Sequence, residues 1–238
     1  MRFTLCVFLS TLLCTVATAQ DIKHYELPVG DFHILEVTDD INVDYICDAY
    51  RAGKVEYEAP ESFASAITFS SDKKGKLTIE LADRDKKLTG LPTVKVYSTF
   101  LSKAVNEGDS TVRVLSVAPG ATFNASLIGD GRLVIRDLKV NSAEISVLSG
   151  KGTIVAYGTA ASAYLSVTGA GQIQADDLMC QNVRCTLTGT GNVFCYPTER
   201  LDVKGIGSIK VYYRGTPEVH KSRLSNAKII SLDAESGK

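Results

Sequence analysis

Three kinds of residue in this 238-residue chain have the types and spacings that could do chemistry: paired glycines, adjacent carboxylates, and a few histidines and cysteines. The glycine pairs are Gly129-Asp-Gly131, Gly150-Lys-Gly152, Gly169-Ala-Gly171, Gly189-Thr-Gly191 and Gly205-Ile-Gly207. Gly-x-Gly opens the dinucleotide fingerprint, which needs a third glycine five residues after the first so that helix and strand can approach closely. Those positions hold Val134, Val155, Gln174 and Phe194, and no loop ends in Gly-Lys-Ser/Thr, so nucleotide chemistry is not expected. The calcium-binding nonapeptide also fails, because no Gly-Gly occurs. His24, His33 and His220 lie in separate stretches without the His-Glu-x-x-His spacing of a zinc site, and read as solvated or edge histidines. No cofactor and no metal are expected.

The carboxylates are the remaining catalytic option. Asp39-Asp40 and Asp176-Asp177 are the adjacent acid pairs, and each falls where a turn is expected. Aspartate caps turns through its side-chain oxygens, which accounts for both pairs without chemistry. The functional alternative is a share in a sugar or calcium site, and Asp176 and Asp177 stay candidates for a binding surface. Carbohydrate enzymes and lectins favour exposed aromatics, and this chain has no tryptophan.

The elements that must position these residues read as strands. Near the start, Phe32-His33-Ile34-Leu35-Glu36-Val37, Ile41-Asn42-Val43-Asp44-Tyr45 and Lys76-Leu77-Thr78-Ile79-Glu80-Leu81 alternate apolar and polar residues, the pattern of strands with one covered face. Turn residues separate them at Asp39-Asp40, Ala52-Gly53 and Asp72 to Gly75, and Ala59 to Ala64 could form one helical turn. From about residue 93 the chain repeats. Counting Gly108-Asp109-Ser110 as a degenerate first copy, the leading glycines fall 21, 21, 19, 20 and 16 residues apart.

An alternating strand follows each pair. Aligned on glycine, Leu133, Ile154, Ile173, Val193 and Ile209 form one apolar column, and Ile135, Ala156, Ala175, Cys195 and Val211 the next. A second strand precedes the next pair, as in Glu144-Ile145-Ser146-Val147, Tyr164-Leu165-Ser166-Val167, Arg184-Cys185-Thr186-Leu187 and Arg200-Leu201-Asp202-Val203. A period near ~20 residues is too short for a strand-helix-strand unit, which needs ~30. It fits one coil of an all-β, single-stranded parallel β-helix, a β-solenoid whose strands pair with those of neighbouring coils. Glycine marks the corners because it takes positive φ cheaply and lets backbones approach. Tyr157 and Tyr196 follow the inward column by one position and should face outward. Such an outward tyrosine ladder would be a contact surface, and the competing reading is that tyrosine simply suits a pleated strand.

Met1-Arg2, the mostly apolar run Phe3 to Val16, and Ala17-Thr18-Ala19 before Gln20 read as a secretory signal over 1–19. Leu13 before Cys14 argues against lipidation, and no later segment approaches the ~20 apolar residues of a membrane helix. The formal net charge of −1 gives no reason to expect nucleic acid. Four cysteines follow the signal. The repeat register favours buried free thiols for Cys185 and Cys195, while Cys47 and Cys180 stay open between free and disulfide-bonded.

Ile41-Asn42-Val43-Asp44-Tyr45, Thr93-Val94-Lys95-Val96-Tyr97, the serial Gly-x-Gly-x-Ile coils and the closing Tyr213-Arg214-Gly215-Thr216-Pro217 together resemble a family of Gram-negative envelope proteins. It is the autotransporter adhesin head domain, or head GIN domain. The resemblance covers about residues 30–217, leaving 20–29 as an N-terminal segment and 218–238 as a C-terminal strand and tail. It implies a β-helical fold and an adhesin-like role, with no catalytic residues to carry over. Asn226 is expected to stand in for a corner glycine before the last strand, and without a membrane-barrel pattern the chain would be a head lacking its own translocator. The expected function is non-enzymatic binding of an unknown protein or glycan partner by an exported chain, in the periplasm, at the outer membrane or outside the cell. Unpaired edges at the solenoid ends would support homo-oligomers. A β-helix carbohydrate-active enzyme and a periplasmic scaffold or sensor module are the alternatives.

Overall fold

The computed structural model describes residues 21–84 and 88–233; residues 1–19, expected to be a secretory signal, lie outside the described residues. It is a parallel β-solenoid of about six turns, roughly 20 residues apart. Each coil contributes to two walls that face each other across one apolar core. In the first wall β7 (Val94–Ser98) pairs with β3 (Val43–Cys47), then β9 (Thr111–Val114), then the leading parts of β11 (Arg132–Ser149), β12 (Thr153–Gly169), β13 (Gln172–Gly189) and β14 (Asn192–Gly207), ending with β15 (Lys210–Tyr213) and β17 (Lys228–Ser231). The second wall runs from β6 (Lys76–Leu81) through β2 (Ile34–Val37), β8 (Lys103–Asn106) and β10 (Gly120–Ile128) to the trailing parts of β11 to β14 and β16 (Glu218–Lys221).

Stacking follows the alternation read from sequence. Val94, Val43, Val112, Leu133, Ile154, Ile173, Val193 and Val211 are in register and buried in the first wall. Leu77, Leu35, Ala104, Ala125, Ile145, Leu165, Cys185 and Val203 answer them in the second. Each buried Val, Leu or Ile stabilises by about 1.5–3 kcal/mol, and none could be buried by a coil standing alone. Aspartates stitch one corner from coil to coil. The Asp109 N–H donates to Asp40 at 2.7 Å, the Asp130 N–H to Asp109 at 3.0 Å, and the Lys151 N–H to Asp130 at 2.8 Å.

Coil order at the N-terminal end departs from chain order. The β2–β3 coil lies between the β6–β7 coil and the β8–β9 coil, so the chain leaves it, caps the end, returns outside it, and crosses back. The cap is antiparallel: β4 (Lys54–Pro60) on β7, β1 (Ile22–Pro28) on β4, and β5 (Ile67–Ser71) on β6. The turn expected near Pro60 is a 3₁₀ turn over Glu61–Phe63. The crossover after Ser98 is pinned by polar bonds, with Tyr45 Oη and Ser98 Oγ 2.9 Å apart and the Thr99 N–H and hydroxyl donating to Asp31 at 3.1 and 2.7 Å.

The final coil corrects the glycine alignment. Gly189 pairs with Gly207, not Gly205, and Val193 and Cys195 pair with Val211 and Tyr213. Cys185 likewise sits beside Val203 rather than Leu201. The cause is the corner between the walls. Ala175 pairs with Cys195 but Met179 with Tyr196, so β13 turns through Asp176, Asp177 and Leu178 where β14 has no counterparts. Gly207 takes the corner conformation at φ 125°, while Ile209 packs over Gly205. Asn226 is not left-handed: Asp137 is the only non-glycine residue with positive φ among the described residues. Asn226 replaces the corner glycine through its side chain, whose Oδ1 accepts the Gly207 N–H at 3.0 Å. The segment after 217 continues the solenoid with β16 and β17 rather than leaving it.

Candidate binding face

The residues singled out in the sequence do not form one surface. Corner irregularities set Tyr157 level with Asp177 and Tyr196 level with Met179, so the two tyrosines occupy different rows and no ladder forms. Both are partly buried: the Arg136 guanidinium lies 5.7 Å from the Tyr157 ring centre, and Gly215 packs close to the Tyr196 ring. Asp176 and Asp177 flank one cation, Arg214, at 3.4 and 3.2 Å, so both are engaged by a residue two coils further on, whose single charge offsets one of their two. The corner glycines are structural: a Cβ on Gly189, at φ 120°, would stand 2.3 Å from the Gly169 carbonyl oxygen.

His24 lies on the edge strand β1, His33 stacks on Phe100 with ring centres 5.5 Å apart, and His220 Nε2 sits 2.9 Å from a Glu218 carboxylate oxygen. No group of three or more potential metal ligands occurs among the described residues. Cys47, Cys180, Cys185 and Cys195 are free. Burial pushes the Cys180 thiol up to about 12, and a hydrogen bond with the Cys185 thiol, together with burial, pushes the Cys195 thiol well up. Cys180, Cys185 and Cys195 are inert core thiols, and Cys47 is half-buried.

A continuous outward surface does exist on the second wall. Because strands alternate, the neighbours of the buried Ile145, Leu165, Cys185 and Val203 point outward. Asn124, Glu144, Tyr164, Arg184, Asp202 and His220 pair in one row across successive coils. Two residues further along each strand, Ser126, Ser146, Ser166, Thr186 and Lys204 form a second row, and beyond it Thr168, Thr188 and Ile206 a third. Ser146 in the middle row is only 8% exposed, against 36% for Tyr164 and 66% for Ile206. The short hydroxyl side chains of Ser146, Ser166 and Thr186 therefore floor a shallow trough beside the row of Tyr164 and Arg184, bounded at its C-terminal end by Lys204 and Ile206. At its C-terminal end are two adjoining depressions of about 550 and 220 Å³, both lined by Tyr164, Arg184 and Asp202.

Charges in the trough are unevenly matched. Asp202 is held by Arg200, whose Nε and Nη2 donate at 3.0 and 2.8 Å, and that hydrogen bond keeps its carboxyl below the usual range. Arg184, Lys204 and Lys221 have no hydrogen bond or ion pair among the described residues, beyond the through-space effect of Arg184 on Asp202. On the first wall's outer surface the corresponding row mixes types: Lys95, then Asp44 paired with Arg113, then the buried Val134 and Val155, then Gln174, and Phe194 stacked on Tyr212 at 4.5 Å. Reading the second strand for its core positions alone passed over Tyr164, Arg184 and Asp202. Taking the outward residue of each coil would have revealed the row, except that the last coil's register was displaced.

The fold and this face define an extended β-solenoid scaffold that presents in-register rows of side chains instead of a deep cleft. The chain belongs to the family described as "Putative auto-transporter adhesin, head GIN domain", whose family model matches residues 31–217. A "putative adhesin" of Bacteroides fragilis has a similar structure, with TM-score 0.78 at 18% identity, covering 90% of this chain and 98% of that one. A "putative adhesin" of Parabacteroides merdae gives TM-score 0.71 at 20% identity over 90% and 97% of the two chains. A "putative lipid binding protein" of Parabacteroides distasonis gives 0.66 at 18% identity over 90% and 98%. At these identities the likeness is one of fold. Among curated protein sequences none is significantly similar to this chain. No helix among the described residues is long and apolar enough to cross a membrane.

Proposed function

We propose that this chain is an exported, non-catalytic binding protein of the cell envelope, acting as an adhesin-like module through the trough on its second wall. The observation that carries the reading is the row Tyr164–Arg184–Asp202–His220, in which an exposed aromatic ring, an unpaired guanidinium and two further polar groups stand on adjacent coils of one stack. The family description and the signal-like residues 1–19 support export and binding. The enzyme alternative finds its best acid pair already engaged by Arg214, and no second acidic or basic group of the earlier candidates converges on it. The name of the Parabacteroides distasonis relative raises lipid as a ligand. An acyl chain would need an apolar floor, and the floor here is serine, threonine and lysine.

The test is binding of residues 20–238 to an array of glycans and matrix proteins, with the Tyr164→Ala variant beside a Tyr157→Ala/Tyr196→Ala double variant. Reproducible binding that falls at least fivefold in Tyr164→Ala, and less than twofold in the double variant, supports the reading. Binding to nothing, or loss only in the double variant, overturns it.

A further inference from the structure

We infer that the trough at the C-terminal end of the second wall is a subsite for an anionic polysaccharide, one whose sugars carry carboxylate or sulfate groups. The inference rests on the reading of this face as the binding surface and adds the ligand's chemistry.

Three features argue for it together. The first is charge. Arg184, Lys204 and Lys221 line one depression of about 550 Å³, and its only carboxylate, Asp202, is already neutralised by Arg200. Three cations held together on a protein of formal net charge −1 form a local patch, not the echo of a basic chain. Without partners of their own, they have donors to offer an incoming anion. Arg184 has a planar fork suited to a carboxylate or sulfate.

The second feature is the aromatic ring. Tyr164 stands in the same row one coil away from Arg184, and at 36% exposure it presents an apolar body with a polar tip. A sugar has an apolar face and a hydroxylated rim, and a ring beside a cation meets both with one acidic sugar. Thr186 and Ser222 line the same depression and supply neutral hydroxyls for the rim.

The third is period. Successive coils advance by about 4.8 Å, close to the length of one pyranose unit, so consecutive sugars of an extended polymer would meet consecutive coils. Tyr164, Arg184, Asp202 and His220 stand on four successive coils in that row. An anionic membrane surface shares the charge but not the period.

The experiment measures affinity for polygalacturonate, for neutral dextran of similar length, and for vesicles containing phosphatidylglycerol, at 20 and 200 mM salt. Proteins are the wild type, Arg184→Gln, Lys204→Gln, and Arg132→Gln on the opposite wall. Circular dichroism confirms that each variant is folded; because Arg184 and Lys204 are exposed, the two single substitutions serve as independent checks. The expected result is polygalacturonate binding that weakens at least tenfold in Arg184→Gln or Lys204→Gln, weakens with salt, stays within twofold in Arg132→Gln, and exceeds dextran binding at least tenfold. Equal binding of dextran and polygalacturonate would overturn the anionic specificity and leave the face as a binding surface. Binding to vesicles alone would overturn it in favour of a membrane. Absence of binding to all three, with array ligands still captured through Tyr164, would overturn this inference but not the proposed function.

Discussion

Replacing Asn106 with leucine tests how the stack is held at its corner. Asn106 sits at the end of β8 and is fully buried. Its Nδ2 donates to the Ser110 and Arg132 carbonyl oxygens at 3.0 and 3.1 Å, and its Oδ1 accepts the Gly108 N–H at 3.1 Å. One side chain thus ties its own corner to the next coil. Leucine has nearly the same shape and can make none of these bonds. The Ser110 oxygen keeps the Arg132 N–H as a donor at 3.0 Å, so its loss is the smallest. The Gly108 N–H and the Arg132 carbonyl lose a partner in a buried setting, at about 1–3 kcal/mol each. Allowing about 1 kcal/mol in return for the added apolar surface, the net destabilisation is about 1–5 kcal/mol. For a chain of this size each kcal/mol moves Tm by about 2–4 °C, so Tm should fall by about 2–20 °C. Thermal unfolding followed by circular dichroism reads this directly, and amide exchange at Gly108 should accelerate in parallel. A Tm within 2 °C of wild type would refute the reasoning, because the corner would then not depend on this amide.

Other consequences can be checked with the same material. Gly158→Ala should destabilise by at least about 2 kcal/mol, since φ is 132° and the new Cβ would stand 2.1 Å from the Leu138 carbonyl oxygen, whereas Gly120→Ala, with nothing nearer than 3.8 Å, should stay within about 0.5 kcal/mol; denaturant midpoints compare them. Thiol titration should find Cys47 reactive in the native protein and all four cysteines after unfolding, because Cys180, Cys185 and Cys195 are buried; two thiols after unfolding would mean that one disulfide had formed. Burial and the Glu56 acceptor push the Tyr97 phenol up to about 12, so its neutral form is favoured by folding. That contribution is complete below the unfolded value of about 10 and is lost as pH rises from there to about 12, so Tm should fall across this window, and less steeply in Tyr97→Phe. An equal slope in both proteins would assign the alkaline loss to other groups.

The solenoid itself was legible because two independent periods coincide: glycines near every 20 residues, and apolar residues at every second position between them. Both come from backbone constraints that a single sequence displays openly. The interleaved first coils were hidden because Ile34–Val37 and Val43–Cys47 carry no glycine pair, and coil order depends on which edge a strand docks against, not on alternation. The last coil misled for a related reason. Gly205 and Gly207 look like another corner pair, yet only Gly207 turns, since the corner before it is shorter than its neighbours. That same shift concealed the row on the second wall. Asp202 joins the row of Tyr164 and Arg184 only in the true register, and Asp176-Asp177 drew attention as an acid pair without any sign that Arg214, 37 or 38 residues later, would bind both.

The most direct test of the account is to block the trough without touching its charges. Ser166→Trp fills the floor beside Tyr164 and Arg184, and Asn192→Trp adds the same bulk to the outer surface of the opposite wall. Affinity for whichever array ligand the wild type captures best should fall at least tenfold in Ser166→Trp and stay within twofold in Asn192→Trp, with both variants folded. Undiminished binding by Ser166→Trp would contradict the claim that this face is where the protein meets its partner.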